Sequence, residues 1–226
     1  MNNTPNNNKN NSSPDRIDQI NNTTEKIIST DHPFRFLTQN IQGFNSASKQ
    51  EQILDFMKLY NVDVLGLSET NLPNNLAKHI YKKNQQYTAY FNNHDSDTRG
   101  SGVGLIFNNY YAKNIHRVHG YKGRIIYADL FFKGRTKFRI IQIYLPASPR
   151  HDPELTKDIH THLITYIEDA LRKQYKLIVM GDFNVSFEKY NQQYHTTGHF
   201  NWKYAILHQL VLNNLIDAFD ISRYNT

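Results

Sequence analysis

From residue 34 onward, apolar and polar positions alternate between two periods, one of strand type and one of helix type. Residues 34–41 read as a strand. Residues 47–60 read as a helix, with Ile53, Leu54, Met57 and Tyr60 at helical spacing. Residues 62–68 predict a second strand, which ends at Glu69 and a polar loop. A short helix is expected over 76–83. Strands are expected over 87–92 and 103–107, split by a Gly/Asp/Ser loop. Two longer strands, 124–132 and 137–145, flank Lys133-Gly134-Arg135 and predict a hairpin. Residues 155–171 carry the clearest helical stripe: Leu155, Ile159, Leu163, Tyr166, Ile167 and Leu171. The apolar run Leu177-Ile178-Val179-Met180 then reads as a buried strand entering Gly181-Asp182-Phe183-Asn184, and residues 202–212 predict a last helix.

The strand at 138–145 is apolar on both faces. Phe138, Ile140 and Tyr144 lie on one, and Ile141, Ile143 and Leu145 on the other. Such a strand is covered on both sides, by helices or by a second sheet. Hairpins mixed with strand–helix–strand units predict an α/β sandwich rather than a simple parallel sheet. Residues 1–32, beginning Asn2-Asn3-Thr4-Pro5-Asn6-Asn7-Asn8, are too polar to offset their ordering entropy and predict a disordered Asn-rich tail. Residues 33–226 form the predicted domain.

Composition adds modest constraints. With 15 Tyr and 13 Phe among 226 residues, the chain can build a sizeable core. The net charge of +6 and pI near 9.3 favour an anionic partner, nucleic acid being the commonest. Lys113, Arg117, Lys122, Arg124, Lys133, Arg135 and Lys137 supply much of that charge; they either track a phosphate backbone or solvate hairpin edges. The absence of cysteine excludes disulfides and Cys-based zinc sites. No run approaches the roughly 18 apolar residues of a membrane span, and the N-terminus has no signal-peptide segment, so the expectation is a soluble protein of nucleus or cytoplasm with no membrane role. Gly100-Ser101-Gly102-Val103-Gly104 lacks the Gly-Lys-Ser/Thr of a phosphate loop and reads as the start of a strand.

Chemistry-bearing residues collect at strand ends. Gly181 permits a tight turn or a close backbone approach. Asp182 and Asn184, two apart in an extended segment, are expected to point the same way. Asn40, Glu69 and Tyr144 also close or follow apolar strands. Parallel neighbours would gather all five at one edge of the sheets. Glu69 and Asp182 offer the hard oxygens that Mg²⁺ takes, an ion that needs only one or two carboxylates beside water and phosphate.

In this order the motifs resemble the endonuclease/exonuclease/phosphatase superfamily. They are Thr38-Gln39-Asn40-Ile41-Gln42-Gly43, Leu65-Gly66-Leu67-Ser68-Glu69-Thr70, Gly102-Val103-Gly104-Leu105-Ile106-Phe107, Ile143-Tyr144-Leu145-Pro146 and Met180-Gly181-Asp182-Phe183-Asn184-Val185. The wording around Glu69 looks most like the endonuclease domains of non-LTR retroelements. The resemblance covers roughly 34–220 and implies a DNase I-like four-layer α/β sandwich, two sheets face to face with helices outside. It also implies hydrolysis of a phosphoester with Mg²⁺, or alternatively Mn²⁺, on the phosphate backbone of DNA or RNA. By motif, Asn40 and Glu69 belong to the metal side, with Glu69 the direct ligand. Asp182 would orient or deprotonate the attacking water. Asn184 would hold the phosphate or that water, and Tyr144 would donate to a phosphate oxygen.

The superfamily's late Ser-Asp-His is absent from this chain. The resemblance therefore implies a sandwich lacking its C-terminal strands, with exposed edges, as in a fragment of a larger polyprotein. Among the eleven His, His195 and His199 are expected in a polar loop. His151, His160 and His162 are expected as solvated residues on or beside the 155–171 helix. Two further functions remain open: a non-catalytic remnant that binds nucleic acid by charge, and a small-molecule phosphatase. Inositol phosphatases follow Gly-Asp-x-Asn with Tyr-Arg, where this chain has Val185-Ser186.

Overall fold

A computed structural model describes residues 33–94, 100–146, 153–197 and 204–218. The Asn-rich tail, His151, His199 and the first residues of the 202–212 helix lie outside the described residues. The described elements belong to one unit, Phe34–Thr226. Its strands are β1 Phe36–Asn40, β2 Val64–Ser68, β3 Tyr87–Asn92, β4 Val103–Asn108, β5 Ile115–Tyr121, β6 Ile125–Phe131, β7 Lys137–Tyr144 and β8 Lys176–Asp182. Its helices among the described residues are α1 Ala47–Leu59, α2 Asn74–Ala77, α3 Asn109–Ala112, α4 Pro153–Arg172, α5 Phe187–Thr197 and α6 Ala205–Leu212.

The strands form two four-stranded sheets, ordered β1-β2-β4-β3 and β5-β6-β7-β8. Each contains one parallel pair, β1 with β2 and β7 with β8, and is otherwise antiparallel. Between the sheets lies an apolar layer that includes Val64, Leu105, Phe107, Ile126 and Ile140. Helix α1 covers the outer face of the first sheet, where Ile53 and Met57 meet Leu65, Leu67 and Ile106. Helices α4 and α6 cover the outer face of the second, where Ile159, Leu163 and Ile206 meet Tyr127, Ile141 and Ile143. The two-faced apolar pattern of β7 thus has both coverings at once, a sheet on one side and helices on the other. Two polar residues within that run, Arg139 and Gln142, are buried with it.

Several elements depart from the sequence expectation. Strand β5 has only Ile115 and Val118 as aliphatic residues, and it lies half-exposed at the edge of its sheet, so the apolar pattern does not reveal it. The expected helix at 76–83 is one turn, α2, followed by turns to Lys83. His195 lies in α5, not in a loop. His160 is not solvated: it is buried on the inner side of α4, and burial lowers its pKa.

The 177–180 run is not a fully buried strand. It belongs to β8, which ends its sheet among the described residues, and within it only Met180 is buried. Strand β1 ends the other sheet. A groove of about 1400 Å³ lies along both, lined by Phe34, Phe36, Ile178, Val179, Leu210 and Ile216 among others. Among the described residues, no helix is long and apolar enough to cross a membrane.

Candidate active site

The two parallel pairs decide where the polar strand ends fall. Parallel pairing sets C-terminal ends side by side. In the first sheet, Asn40 is the register partner of Ser68, the residue before Glu69. In the second, Tyr144 is the register partner of Asp182. Packing the sheets face to face then brings the two ends together. The Asn40 Nδ2 donates to Glu69 Oε2 at 3.1 Å and to Asp182 Oδ2 at 3.0 Å. The Tyr144 hydroxyl donates to the same Glu69 oxygen at 3.3 Å. One amide therefore joins carboxylates from opposite sheets. Its own oxygen accepts from the Gln42 backbone N–H at 3.2 Å, which sets the amide with its nitrogen towards the acids.

Asn184 does not extend alongside Asp182 as the alternation suggested. Strand β8 stops at Asp182, and Asn184 takes a left-handed φ of 49°. Its backbone N–H folds back to Asp182 Oδ1 at 3.0 Å, and its Nδ2 donates to the Leu145 carbonyl at 2.6 Å. Asn184 thus braces the Asp182 carboxylate and ties this turn to the end of β7. A pocket of about 390 Å³ opens here, lined by Thr38, Gln39, Asn40, Asp182 and Asn184 together with their neighbours.

Gly181 shows which of its two expected uses applies. Its φ is 137°, and a Cβ there would run into the Ile143 carbonyl oxygen. The close approach of β8 to β7 requires it. Glu69 is left-handed as well, with φ 56°. A non-glycine residue in that region costs roughly 1–3 kcal/mol, and such strain gathers at functional sites. The carbonyl of Glu69 accepts the Gly43 N–H at 2.8 Å, so the β1 and β2 loops hold each other in place.

Burial pushes the Tyr144 phenol upward from its ordinary pKa, and the Glu69 carboxylate adds to the shift, so the hydroxyl keeps its proton. The Arg124 guanidinium works in the opposite direction. It lies 5.0 Å from the centre of the Tyr144 ring, a contact that nothing in its sequence neighbourhood discloses. Other members of that basic set are engaged locally. Lys122 pairs with Asp158 at 2.8 Å, and Lys137 donates to the Lys173 carbonyl at 2.6 Å.

The donor set suits a hard cation with few protein ligands. Among the described residues, no three His, Cys, Asp or Glu gather as a metal cage. Two carboxylates do converge, and an ion that retains its waters needs no more. Glu69 and Asp182 present oxygens; Asn40 presents its nitrogen and so acts as a clamp on them.

The chain matches the endonuclease/exonuclease/phosphatase family profile over residues 37–206. No curated protein matches it significantly. Among solved structures, an AP endonuclease from Leishmania major is similar with a TM-score of 0.58 and 18% identity, over 70% of this chain and 57% of that one. A Neisseria 3′ phosphatase bound to a product DNA hairpin gives 0.57 and 15%, over 77% and 69%. The catalytic domain of Xenopus laevis APE2 gives 0.57 and 15%, over 77% and 67%. The chain spans little more than half the length of the Leishmania protein. At these identities the structures speak for the fold, while the profile covers well over half of the sequence, and the chain belongs to the endonuclease/exonuclease/phosphatase family.

Proposed function

We propose that this chain carries a metal-dependent phosphodiester hydrolase site acting on DNA, of the retroelement endonuclease type. The observation that carries the reading is the single Asn40 amide bonded to Glu69 from one sheet and Asp182 from the other. The Leu65-Gly66-Leu67-Ser68-Glu69-Thr70 wording and the net charge of +6 support the nucleic-acid branch.

In this reading Glu69 would hold Mg²⁺, with Asn40 fixing the Glu69 carboxylate. Bound there, the ion would polarise a phosphoryl oxygen and offset its developing charge. Asp182 accepts a proton from the attacking water as its oxygen bonds to phosphorus and the bond to the leaving sugar oxygen breaks, the electron pair going to that oxygen, which takes a proton from solvent. General-base help of this kind is worth about 10²–10⁴-fold. The Asn40 and Asn184 bonds keep both Asp182 oxygens oriented for that transfer. Tyr144, held protonated, turns its hydroxyl from Glu69 to a phosphate oxygen. Fixed donors of this type stabilise charge without reorganising.

Nicking of supercoiled plasmid tests the proposal. The parent should convert supercoiled to open-circular DNA with Mg²⁺, stop when the ion is chelated, and lose the activity in Glu69→Ala. A parent that binds plasmid in low salt yet nicks it no faster than Glu69→Ala would leave a nucleic-acid-binding remnant and overturn the hydrolase reading.

A further inference from the structure

One layer below the site, the apolar packing between the sheets is interrupted. The Thr38 hydroxyl donates to Gln142 Oε1 at 3.0 Å. Gln142 Nε2 donates to Ser68 Oγ at 2.8 Å, and the Ser68 hydroxyl donates to the Ile143 carbonyl at 3.1 Å. Gln142 and Ser68 are wholly buried. The chain of bonds therefore runs from β1 and β2 in one sheet to β7 in the other. Gly66 makes room for it: a Cβ there would collide with the Gln142 side-chain oxygen.

The positions of these residues are systematic. Thr38 precedes Asn40 by two, Ser68 directly precedes Glu69, and Gln142 precedes Tyr144 by two. Gln142 is also the register partner of Met180, two residues before Asp182. On a strand, residues two apart share a face. The bonded layer thus stands immediately beneath the layer that holds the site.

Within each sheet, backbone hydrogen bonds fix which residues are neighbours. Between the sheets, among the described residues, there is no such ladder, only separate bonds such as Gly102 N–H to the Gly123 carbonyl at 2.9 Å. The surrounding layer, Val64, Leu105, Phe107, Ile126 and Ile140, is held by apolar contact, which is non-directional. A site shared between two sheets needs its groups placed to within about 0.5 Å. Hydrogen bonds are directional, and leaving a buried amide unpaired is costly, so a satisfied amide at this layer resists sliding of one sheet past the other.

We propose that Gln142 is a positioning residue that pins the two sheets in register, seated over Gly66 and bonded to Thr38 and Ser68, so that Asn40 and Glu69 meet Tyr144 and Asp182. The role rests on the hydrolase reading for its effect on rate, but not for its effect on geometry.

Two readouts separate these effects. Gln142→Met keeps the volume and removes the bonds. Thr38→Val removes the hydroxyl from an exposed strand with little change of shape, and Thr38→Ser keeps it. In plasmid nicking, Gln142→Met and Thr38→Val should each lower kcat by about tenfold to a hundredfold with KM nearly unchanged. The double variant should be little worse than either, and Thr38→Ser should behave like the parent. The second readout is the side-chain amide signal of Asn40 in ¹⁵N NMR, assigned by its loss in Asn40→Ser. Its two protons report the bonds to Glu69 and Asp182 without any need for turnover. They should move in Gln142→Met and Thr38→Val and stay in Thr38→Ser. Parent-like kcat with an unmoved Asn40 signal in both variants overturns the proposal. If the parent itself does not nick, the hydrolase reading fails, and a moved or unmoved Asn40 signal still decides for or against the pin.

Discussion

At the scale of single residues, the site depends on backbone conformations that side chains resist. Glu69 and Asn184 are left-handed, and Gly181 has a φ of 137°. The sequence announces Gly181 as either a turn former or a point of close approach. Only the packing of β8 on β7 decides for the second. The same limit applies to Asn184, whose alternation with Asp182 is broken by its own φ. Asn40, Glu69, Tyr144 and Asp182, which the structure brings together, stand out in the sequence because each follows or lies near the end of an apolar strand. Gln142 and Arg124 do not, because one polar residue in a run and one basic residue in a set carry no mark of their partners. Gly181→Ala should lower stability by at least about 2 kcal/mol, from strained backbone and from the clash with Ile143. Urea denaturation measures it, and a loss under about 0.5 kcal/mol, the level of an ordinary surface change, would contradict the close-approach account.

At the scale of elements, strands and helices with clear periodicity are read well from the sequence, the terminal strands β1 and β3 included, and elements poor in aliphatic residues are not. Helices α1 and α4 fall close to their apolar stripes. Strand β5 and helix α5 are short of aliphatic residues and therefore carry weak periodic signal. Strand β8 misleads in the other direction, because its apolar run looks central while it ends the sheet. Strand β7 holds a further departure. Arg139 is almost fully buried, bonded to Asp129 at 2.6 and 2.8 Å and to Asp169 at 3.1 Å, and it lies 4.3 Å from the centre of the Tyr127 ring. Arg139 ties β6, β7 and α4 together. Removing Asp129 takes away the two shortest bonds to the buried guanidinium and leaves it the longer one to Asp169. Asp129→Ala should therefore be destabilising by up to about 3 kcal/mol, with Asp169 retained as a partner, and replacing both residues with apolar ones, Asp129→Leu with Arg139→Met, should recover most of it. Thermal unfolding of the three proteins checks this; a single variant as stable as the parent would contradict it.

At the scale of the whole molecule, two sheets with independent registers meet at one end and make a site that neither contains. That convergence was foreseeable only as a condition, that the strand ends run alike. The parallel pairs β1–β2 and β7–β8 satisfy it, each a strand–helix–strand unit of the kind that permits parallel pairing, while no local pattern sets the two sheets face to face. Acid stability is also set across elements. Lys173, Arg172 and Arg139 hold the Asp169 carboxyl well below the usual carboxylate range. A depressed pKa contributes stability above the unfolded value and loses it as pH falls. The contribution should be whole above about pH 4 and fade below it. The stability gap between the parent and Asp169→Asn, followed by denaturant titration, should close as pH falls from about 4 towards 2. A gap that stays constant over that range would contradict the assignment. The central claim, that carboxylates brought from opposite sheets form the hydrolytic site, is tested most directly by the Mg²⁺-dependent nicking rate of Asp182→Asn. Asparagine keeps the shape and one of the two acceptors that Asn40 and Asn184 use, and it cannot take the water's proton. The rate should fall by about 10²-fold or more in a variant that still unfolds cooperatively; a variant that nicks as fast as the parent would contradict the claim.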